Sequence, residues 1–411
     1  MRGRDAPSGF HPSGNRPDVS APVAPPVAIG PGVTGIDWRR RDRFPEAAAS
    51  ADAIGSGVVD PQAMRYPMRT AATAGERWRA MSKVRTVAAG LAAALVSVGG
   101  DGMAFDLQGH RGARGLAPEN TLAGFTRALE IGVTTLEMDI AVTADGVVVV
   151  SHDPALNPDI TRGPDGRFID APGPSIRTLT LAELGRYDVG RIRPGSRYAA
   201  LHPEQVPADG ERIPRLAEVF ALTRRLGADA VRFNIETKVF PDRPGLTAAP
   251  AEMAARLAAA LDEAGMTPRS IVQSFDWRVL QWFQANRPDV TLAWLTSGHG
   301  AADTLLPRGG RPSPWLAGHD PAAHGGSIAR TVRAAGGRIW SPDHRGLSED
   351  EVAEARALGL AVIPWTVNDP ALMERLIGWG VDGIITDYPD RLRRVMARRG
   401  MALPVPVASA R

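Results

Sequence analysis

Residues 107–154 read LQGHRGARGLAPENTLAGFTRALEIGVTTLEMDIAVTADGVVVVSHDP and contain the pattern that decides the fold. Short apolar segments predict strands over Phe105–Gly109 and Thr134–Ile140, and apolar residues at helical spacing predict a helix over Thr121–Ile131 between them. An Asp-Gly turn signal then predicts a hairpin strand over Val147–Ser151. Alternation of strand and helix is typical of α/β proteins.

The alternation resumes after the Gly- and Pro-rich stretch Pro154–Arg212, which we interpret as a long insertion after the second strand. Further strands are predicted over Ala230–Glu236, Ser270–Ser274, Val290–Leu295, Arg338–Ser341, Ala361–Val367 and Gly383–Thr386. Without the hairpin arm, eight strands alternate with helices, which predicts a TIM (β/α)8 barrel. No GxGxxG pattern follows the first strand, so a dinucleotide-binding fold is disfavoured.

The chain before the barrel is expected to have two parts. Residues 1–80 are rich in Pro, Gly, Ala and Arg and are expected to be disordered. Residues 81–104 combine a basic start, a short apolar run and small residues, the layout of a secretory signal peptide. We therefore expect translation to begin at Met81 and the protein to be periplasmic or secreted, without stable membrane insertion after cleavage. The alternative is a short helix behind a disordered tail.

The barrel domain is expected to cover residues 105–394, leaving residues 395–411 as a C-terminal tail. The chain has 411 residues and a net charge of +3, which is too small to indicate a nucleic-acid partner. It contains no cysteine, which excludes disulfides, thiolate metal sites and a cysteine nucleophile.

Polar residues follow the predicted strands at the end where TIM barrels carry their active sites. Glu137 and Asp139 are two apart, so their side chains share one face of the second strand, and Glu236 and Lys238 repeat this spacing on the third. Three carboxylates make an oxygen-rich pocket suited to one divalent cation, Ca²⁺ or Mg²⁺. The alternative is a set of carboxylates paired with Lys238 and Arg111.

Two histidines at strand ends, His110 and His152, are natural proton donor and acceptor because their unperturbed pKa lies near neutrality. Arg111 and Lys238 suit an anionic group. Asn120 is expected to cap the following helix, to orient His110 or to bind a phosphate. Trp365 is expected either to pack in the core or to form an apolar wall for a small alcohol.

Seven segments together resemble the glycerophosphodiester phosphodiesterase family over about Phe105 to Arg394. They are GHRGARGLAPENT, LEMDI, VVSHD, FNIETK, IVQSF, WTVND and GVDGIITDYPD. Thr237 departs from the pattern, since an aliphatic residue more often stands there. The insertion is longer than in the smallest members and leaves substrate preference open.

The resemblance implies a TIM barrel that hydrolyses glycerophosphodiesters, such as deacylated phospholipids, to glycerol 3-phosphate and an alcohol. It implies that Ca²⁺ or Mg²⁺ is held by Glu137, Asp139 and Glu236, and that His110 and His152 exchange acid and base roles. The substrate's own glycerol hydroxyl would attack phosphorus, and water would open the cyclic phosphate that results. The resemblance also matches Arg111 to the phosphate-binding arginine of the family. Asn120, Lys238 and Trp365 are assigned to substrate or phosphate binding from their residue types and positions at strand or loop ends.

Two other functions remain open at this point. A phospholipase of the same barrel type, acting on lysophospholipids or phosphoinositides, would share the histidines and the cation. The polar, Gly-rich insertion disfavours it. A non-enzymatic periplasmic binding protein would require the loss of a cation ligand or a histidine, and all are present.

Overall fold

The structure, a computed structural model, describes residues 105–300 and 303–408. Nine strands in these residues form one sheet. They are β1 (Asp106–Gly109), β2 (Thr135–Val142), β3 (Val148–Val150), β4 (Arg232–Thr237), β5 (Ser270–Ser274), β6 (Thr291–Thr296), β7 (Ile339–Pro342), β8 (Ala361–Val362) and β9 (Gly383–Thr386).

Eight of these strands are parallel and follow the order β8-β7-β6-β5-β4-β2-β1-β9, while β3 pairs antiparallel with β2. Backbone hydrogen bonds continue between the two end strands. Val367 N donates to Ile385 O at 3.0 Å, and Asp382 N donates to Val362 O at 2.9 Å. The parallel strands therefore form a nearly closed barrel, which confirms the predicted TIM fold.

The helices are α1 (Leu122–Ile131), α2 (Leu181–Leu184), α3 (Arg197–Leu201), α4 (Leu216–Arg225), α5 (Pro250–Ala264), α6 (Trp277–Asn286), α7 (Ile328–Ala334), α8 (Glu349–Ala357), α9 (Pro370–Trp379) and α10 (Pro389–Arg398). All the helices except α2 and α3, which belong to the insertion, follow strands and cover the outside of the sheet. Their apolar faces and the outer faces of the strands share one large core, in which Phe125, Phe220 and Phe233 are fully buried. Alternate strand residues point the other way, so the polar side chains discussed below lie inside the barrel.

The insertion between β3 and α4 is present and contains α2 and α3. It has a small apolar core of its own, in which Leu156, Ile176 and Leu184 pack against Val149 of the hairpin. This packing fixes the insertion to the hairpin that also leads to His152.

Two local predictions need correction, and one helix was not expected. Asn120 is not the helix cap: its φ is +54°, whereas Thr121 has extended backbone and its hydroxyl accepts from Gly124 N. The predicted strand Ala361–Val367 is regular only over Ala361–Val362, since Pro364 offers no N–H for a ladder. Helix α3 was not predicted because the insertion shows no sustained apolar period.

The C-terminal end of the domain also extends further than expected. Helix α10 runs past residue 394 to Arg398. Beyond it, Val407 N donates to Leu129 O at 2.9 Å, so the described part of the predicted tail is attached to α1.

The predicted disordered extension and the signal-like segment lie outside the described residues. Among the helices that are described, none has both the length and the apolar character needed to cross a membrane.

Candidate active site

Strand register brings three carboxylates together at the C-terminal end of the barrel. In the parallel pair β2–β4, Asp139 lies opposite Glu236, and Glu137 precedes Asp139 on the same face of β2. One oxygen from each of the three lies within 4.8 Å of the other two. All three residues are buried, with 8 % exposure at most. The predicted cluster of Glu137, Asp139 and Glu236 therefore exists in the fold.

Two cations neutralise part of this cluster. Lys238 Nζ lies 2.9 Å from Asp139 Oδ1 and 2.5 Å from Glu236 Oε1. Arg111 Nε lies 3.1 Å from Asp139 Oδ2 on the opposite side. Burial alone would raise the pKa of Asp139, but Lys238 and Arg111 hold it well below its usual value.

The other two carboxyl groups respond differently. Burial and the charge of Asp139 raise the pKa of Glu137 well above its usual value. Burial raises the pKa of Glu236 to about 7. The charge of Asp139 adds to this shift, and the charge of Lys238 opposes it. When all three carboxyl groups are ionised, the cluster carries more negative charge than Lys238 and Arg111 offset, which is why Glu137 and Glu236 hold their protons more tightly.

The donor set fits a hard divalent cation. It consists only of carboxylate oxygens, which Ca²⁺ and Mg²⁺ prefer. Asp139 Oδ1 is buried and has no aligned hydrogen-bond donor, although Lys238 is close to it. An oxygen with an available lone pair and two carboxyl groups with raised pKa are the features that a bound cation would satisfy.

A buried carboxylate binds the ring nitrogen of His110 that faces away from the cluster. His110 Nδ1 lies 2.6 Å from Asp387 Oδ1, while its Nε2 lies 3.9 Å from Glu137 Oε2. Burial, followed by the charge of Arg114, lowers the pKa of His110 to about 4, although Asp387 opposes the shift. The ring is therefore neutral near pH 7. With the Nδ1 proton on the Asp387 side, Nε2 faces the carboxylate cluster as a proton acceptor.

Asp387 is itself fixed by two further side chains, which donate three hydrogen bonds. Arg114 donates from Nε to Oδ1 at 2.9 Å and from Nη2 to Oδ2 at 3.0 Å, and Asn368 Nδ2 donates to Oδ2 at 2.7 Å. Burial would raise the pKa of Asp387, but Arg114 and His110 hold it well below its usual range. Asp387 therefore stays charged and keeps the imidazole of His110 in one orientation.

His152 has a similar but more open arrangement. Its Nδ1 lies 2.8 Å from Asp153 Oδ1, and Asn157 Nδ2 donates to Asp153 Oδ2 at 2.7 Å. Burial and the charges of Arg111 and Lys238 lower the pKa of His152. The structure thus provides two imidazoles, each with one nitrogen tied to an aspartate.

Arg111 and Asn120 both adopt left-handed backbone conformations, with φ of +50° and +54°. Arg111 N donates to Glu137 Oε2 at 2.9 Å, and Asn120 N donates to Arg111 O at 3.0 Å. Asn120 Nδ2 also donates to Asp139 Oδ2 at 2.9 Å and does not bond to His110, which Asp387 orients. Left-handed residues other than glycine are costly and tend to occur at functional positions.

Trp365 lies at the same end of the barrel, half-buried beyond β8. Its indole Nε1 donates to Ser341 O at 2.9 Å, and its ring packs edge-on to Phe275 with centroids 5.4 Å apart. It also packs against an apolar layer inside the barrel that includes Ile271 and Ile385. The side chain is therefore a core contact, and its role as an apolar wall for the alcohol stays a prediction.

Several polar residues of the site were not assigned roles from the sequence. Gln273 Nε2 donates to Glu137 Oε1 at 2.9 Å, and Asn234 Nδ2 bridges Gln108 Oε1 at 2.8 Å and Gln273 Oε1 at 3.0 Å. These amides form a polar layer beneath the carboxylates. In the sequence, each of these amides is recognisable as a polar residue at an inward position of an otherwise apolar strand. Arg114 gave no comparable signal because it lies in a loop.

Comparison with known sequences identifies a matching family. The sequence model of the glycerophosphoryl diester phosphodiesterase family matches residues 110–391. A glycerophosphodiester phosphodiesterase from Caldanaerobacter subterraneus subsp. tengcongensis is 30% identical over 291 residues, which are 71% of this chain and 97% of the relative. A glycerophosphodiester phosphodiesterase from Bacillus subtilis is 29% identical over 70% of this chain and 84% of the relative.

Solved structures agree with this result. A Silicibacter pomeroyi protein assigned to the glycerophosphoryl diester phosphodiesterases superposes with a TM-score of 0.65 at 35% identity, covering 74% of this chain and 97% of that one. An Oleispira antarctica phosphodiesterase, solved with its product sn-glycerol-3-phosphate, superposes with a TM-score of 0.51 at 24% identity, covering 71% and 96%. The second similarity concerns the fold alone.

Proposed function

The chain belongs to the glycerophosphoryl diester phosphodiesterase family, and from this we propose that it hydrolyses glycerophosphodiesters to glycerol 3-phosphate and an alcohol. The family and its curated relatives make it a phosphodiesterase, and the substrates we propose are deacylated phospholipids such as glycerophosphocholine or glycerophosphoethanolamine. One observation carries the proposal: a buried carboxylate cluster is flanked by two cationic side chains and faced by an aspartate-bound imidazole.

The charges of the site suit a phosphodiester. The substrate carries one negative charge, and more develops on the phosphoryl oxygens in the transition state. Arg111 and Lys238 lie on opposite sides of Asp139, so their donors would bind these oxygens from two directions. A divalent cation on Glu137, Asp139 and Glu236 would supply Lewis-acid stabilisation of the same charge.

The histidines suit the two proton transfers of a diester displacement. One imidazole would take the proton of the glycerol 2-hydroxyl as its oxygen attacks phosphorus, and the other would give a proton to the alcohol that leaves. A cyclic phosphate and the free alcohol result. The roles then reverse: a water loses its proton to one imidazole, attacks phosphorus and opens the ring, and the released ring oxygen takes the proton. The two steps require one group that accepts a proton and one that gives a proton, and we assign these roles to His110 and His152.

The test is the release of glycerol 3-phosphate from glycerophosphocholine by the full-length protein. The assay is run after treatment with EDTA and again with Ca²⁺ or Mg²⁺ restored. We expect activity to disappear with chelator and to return with one of the ions, which also identifies it. A folded protein that is inactive with either ion would contradict the substrate assignment, and lysophospholipids and phosphoinositides would be the next substrates to test.

We propose a periplasmic or secreted location, which follows from the signal-like residues 81–104 and suits the scavenging of diesters outside the cytoplasm. N-terminal sequencing of protein isolated from its native host tests the location. The expected mature N-terminus lies close to Phe105, and one upstream of Met81 would contradict the proposal.

A further inference from the structure

Part of the insertion packs directly onto the loop that holds His110 and Arg111. The hydroxyl of Tyr198, on α3, donates to Glu119 Oε2. Gln205 Nε2 donates to Arg114 O at 2.8 Å, and Val206 N donates to Leu116 O at 3.0 Å. The insertion is thus attached at three points to the segment between β1 and α1.

Glu119 connects this attachment to the site. While Oε2 accepts from Tyr198, Oε1 accepts from Arg111 Nη1 at 2.7 Å. Glu119 and Arg111 are each only 7 % exposed, so solvent does not replace either bond easily. Glu119 thus provides an aligned side-chain hydrogen bond to the guanidinium at Nη1, whereas Asp139 forms an ion pair 3.1 Å from Nε without an aligned hydrogen bond there.

The ring of Tyr198 is also fixed. It packs edge-on against His202 with centroids 5.0 Å apart. A phenol on a short helix has few ways to move once its ring is packed and its hydroxyl is bonded. The position of Glu119, and with it that of the Arg111 side chain, consequently depends on α3.

We infer that Tyr198 is a positioning residue: through Glu119 it holds the Arg111 guanidinium at the carboxylate cluster, so the insertion sets the affinity for the phosphoryl group. The inference rests on the proposed role of Arg111 in binding phosphate. If the role of Tyr198 were purely structural, its bond to Glu119 would only attach α3 to the barrel, and loss of the bond would leave phosphate affinity unchanged.

The experiment compares Tyr198→Phe with Tyr187→Phe in the full-length protein. Tyr187 belongs to the same insertion, but its ring packs against the small apolar core. The readouts are the dissociation constant of inorganic phosphate by calorimetry in the presence of the restored cation, and KM and kcat for glycerophosphocholine. Thermal unfolding is measured for both variants.

For Tyr198→Phe we expect phosphate affinity to fall and KM to rise by about tenfold, the order expected for losing a hydrogen bond to a charged group. We expect kcat to change much less, and Tyr187→Phe to match the wild type. If Tyr198→Phe lowers only the unfolding temperature and leaves the phosphate dissociation constant and KM unchanged, the bond is merely structural and the inference is overturned.

A second measurement asks whether Tyr198 acts through Arg111. The Arg111→Lys variant lacks the guanidinium that Glu119 binds. Adding Tyr198→Phe to this variant should therefore not weaken phosphate binding further. Fully additive effects would overturn the inference. Phosphate binding needs no turnover, so this experiment tests the positioning role separately from the proposed substrate. If the wild type hydrolyses no diester but Tyr198→Phe still lowers phosphate affinity, the proposed substrate is refuted and the positioning role is retained.

Discussion

The imidazole of His110 and the carboxylate of Asp387 meet at 2.6 Å between Nδ1 and Oδ1, although 277 positions separate the two residues in the chain. The contact leaves Nε2 of His110 directed at the cluster. For Asp387→Asn we expect the ring to lose its fixed orientation and kcat to fall by about 100-fold or more, the scale of proton transfer by a positioned side chain.

Asp390→Asn is the matched control, since that residue lies on the following helix and pairs with Arg394. Steady-state kinetics of both variants with glycerophosphocholine, together with their unfolding temperatures, check the prediction. A folded Asp387→Asn enzyme with wild-type kcat would show that His110 does not depend on this carboxylate.

Replacing either histidine tests the exchange of acid and base roles. We expect His110→Ala and His152→Ala each to lose most turnover of glycerophosphocholine. With a p-nitrophenyl ester of glycerol phosphate, whose leaving group departs without a proton, we expect one of the two variants to recover the release of nitrophenol. That residue is the acid of the first step. Recovery in both variants, or in neither, would contradict a division of labour between the two rings.

Cation affinity should depend on pH because two of the three carboxyl groups have raised pKa values. Glu236 has a pKa of about 7 without the ion, and a cation binds the deprotonated form. Below pH 7 binding must therefore displace the proton of Glu236, and this proton alone should lower the affinity by about tenfold per pH unit. Above pH 7 Glu236 is already deprotonated, so it should no longer make the cation affinity depend on pH.

Calorimetry in two buffers with different ionisation enthalpies measures both the affinity and the protons released. Glu236→Gln should weaken binding and remove its share of the proton release, whereas Glu252→Gln, on α5, should leave both unchanged. Proton release that is the same in the wild type and in Glu236→Gln would show that Glu236 is not the titrating ligand.

The carboxylate cluster could be predicted from sequence because it depends only on strand periodicity. Glu137 with Asp139, and Glu236 with Lys238, keep a spacing of two, and parallel pairing of β2 with β4 places the two sets side by side. The barrel was predicted from a second regularity, the alternation of eight short apolar strands with helices.

Residues that depend on loops could not be placed in this way. Arg114 and Tyr198 lie in segments without a period, and each reaches the site through a contact to a residue far along the chain. The sequence predicts Asn120 as a helix cap because Asn is a preferred capping residue and precedes the apolar helical pattern, whereas Thr121 is the cap. The left-handed backbone of Asn120, which turns the amide toward Asp139, is set by tertiary contacts that a local pattern does not encode.

Lys238 has opposing effects on the cation and on the substrate, and a single substitution should separate them. Its ammonium lies 2.9 Å from Asp139 and 2.5 Å from Glu236, so it repels a cation held by the same oxygens. Lys238→Met should therefore tighten Ca²⁺ or Mg²⁺ binding by about tenfold, since removing a neighbouring like charge favours the bound ion.

The same substitution should slow the reaction. Without the ammonium, one donor to the phosphoryl oxygens is lost, and kcat/KM measured at saturating cation should fall by about 100-fold. Arg243→Met is the control, because Arg243 follows the same strand but stacks over Phe240. Tighter cation binding with slower turnover is the expected pair of results. If Lys238→Met instead weakened cation binding, the ammonium would be needed to hold Asp139 and Glu236 in place, and its attraction for them would outweigh its repulsion of the ion.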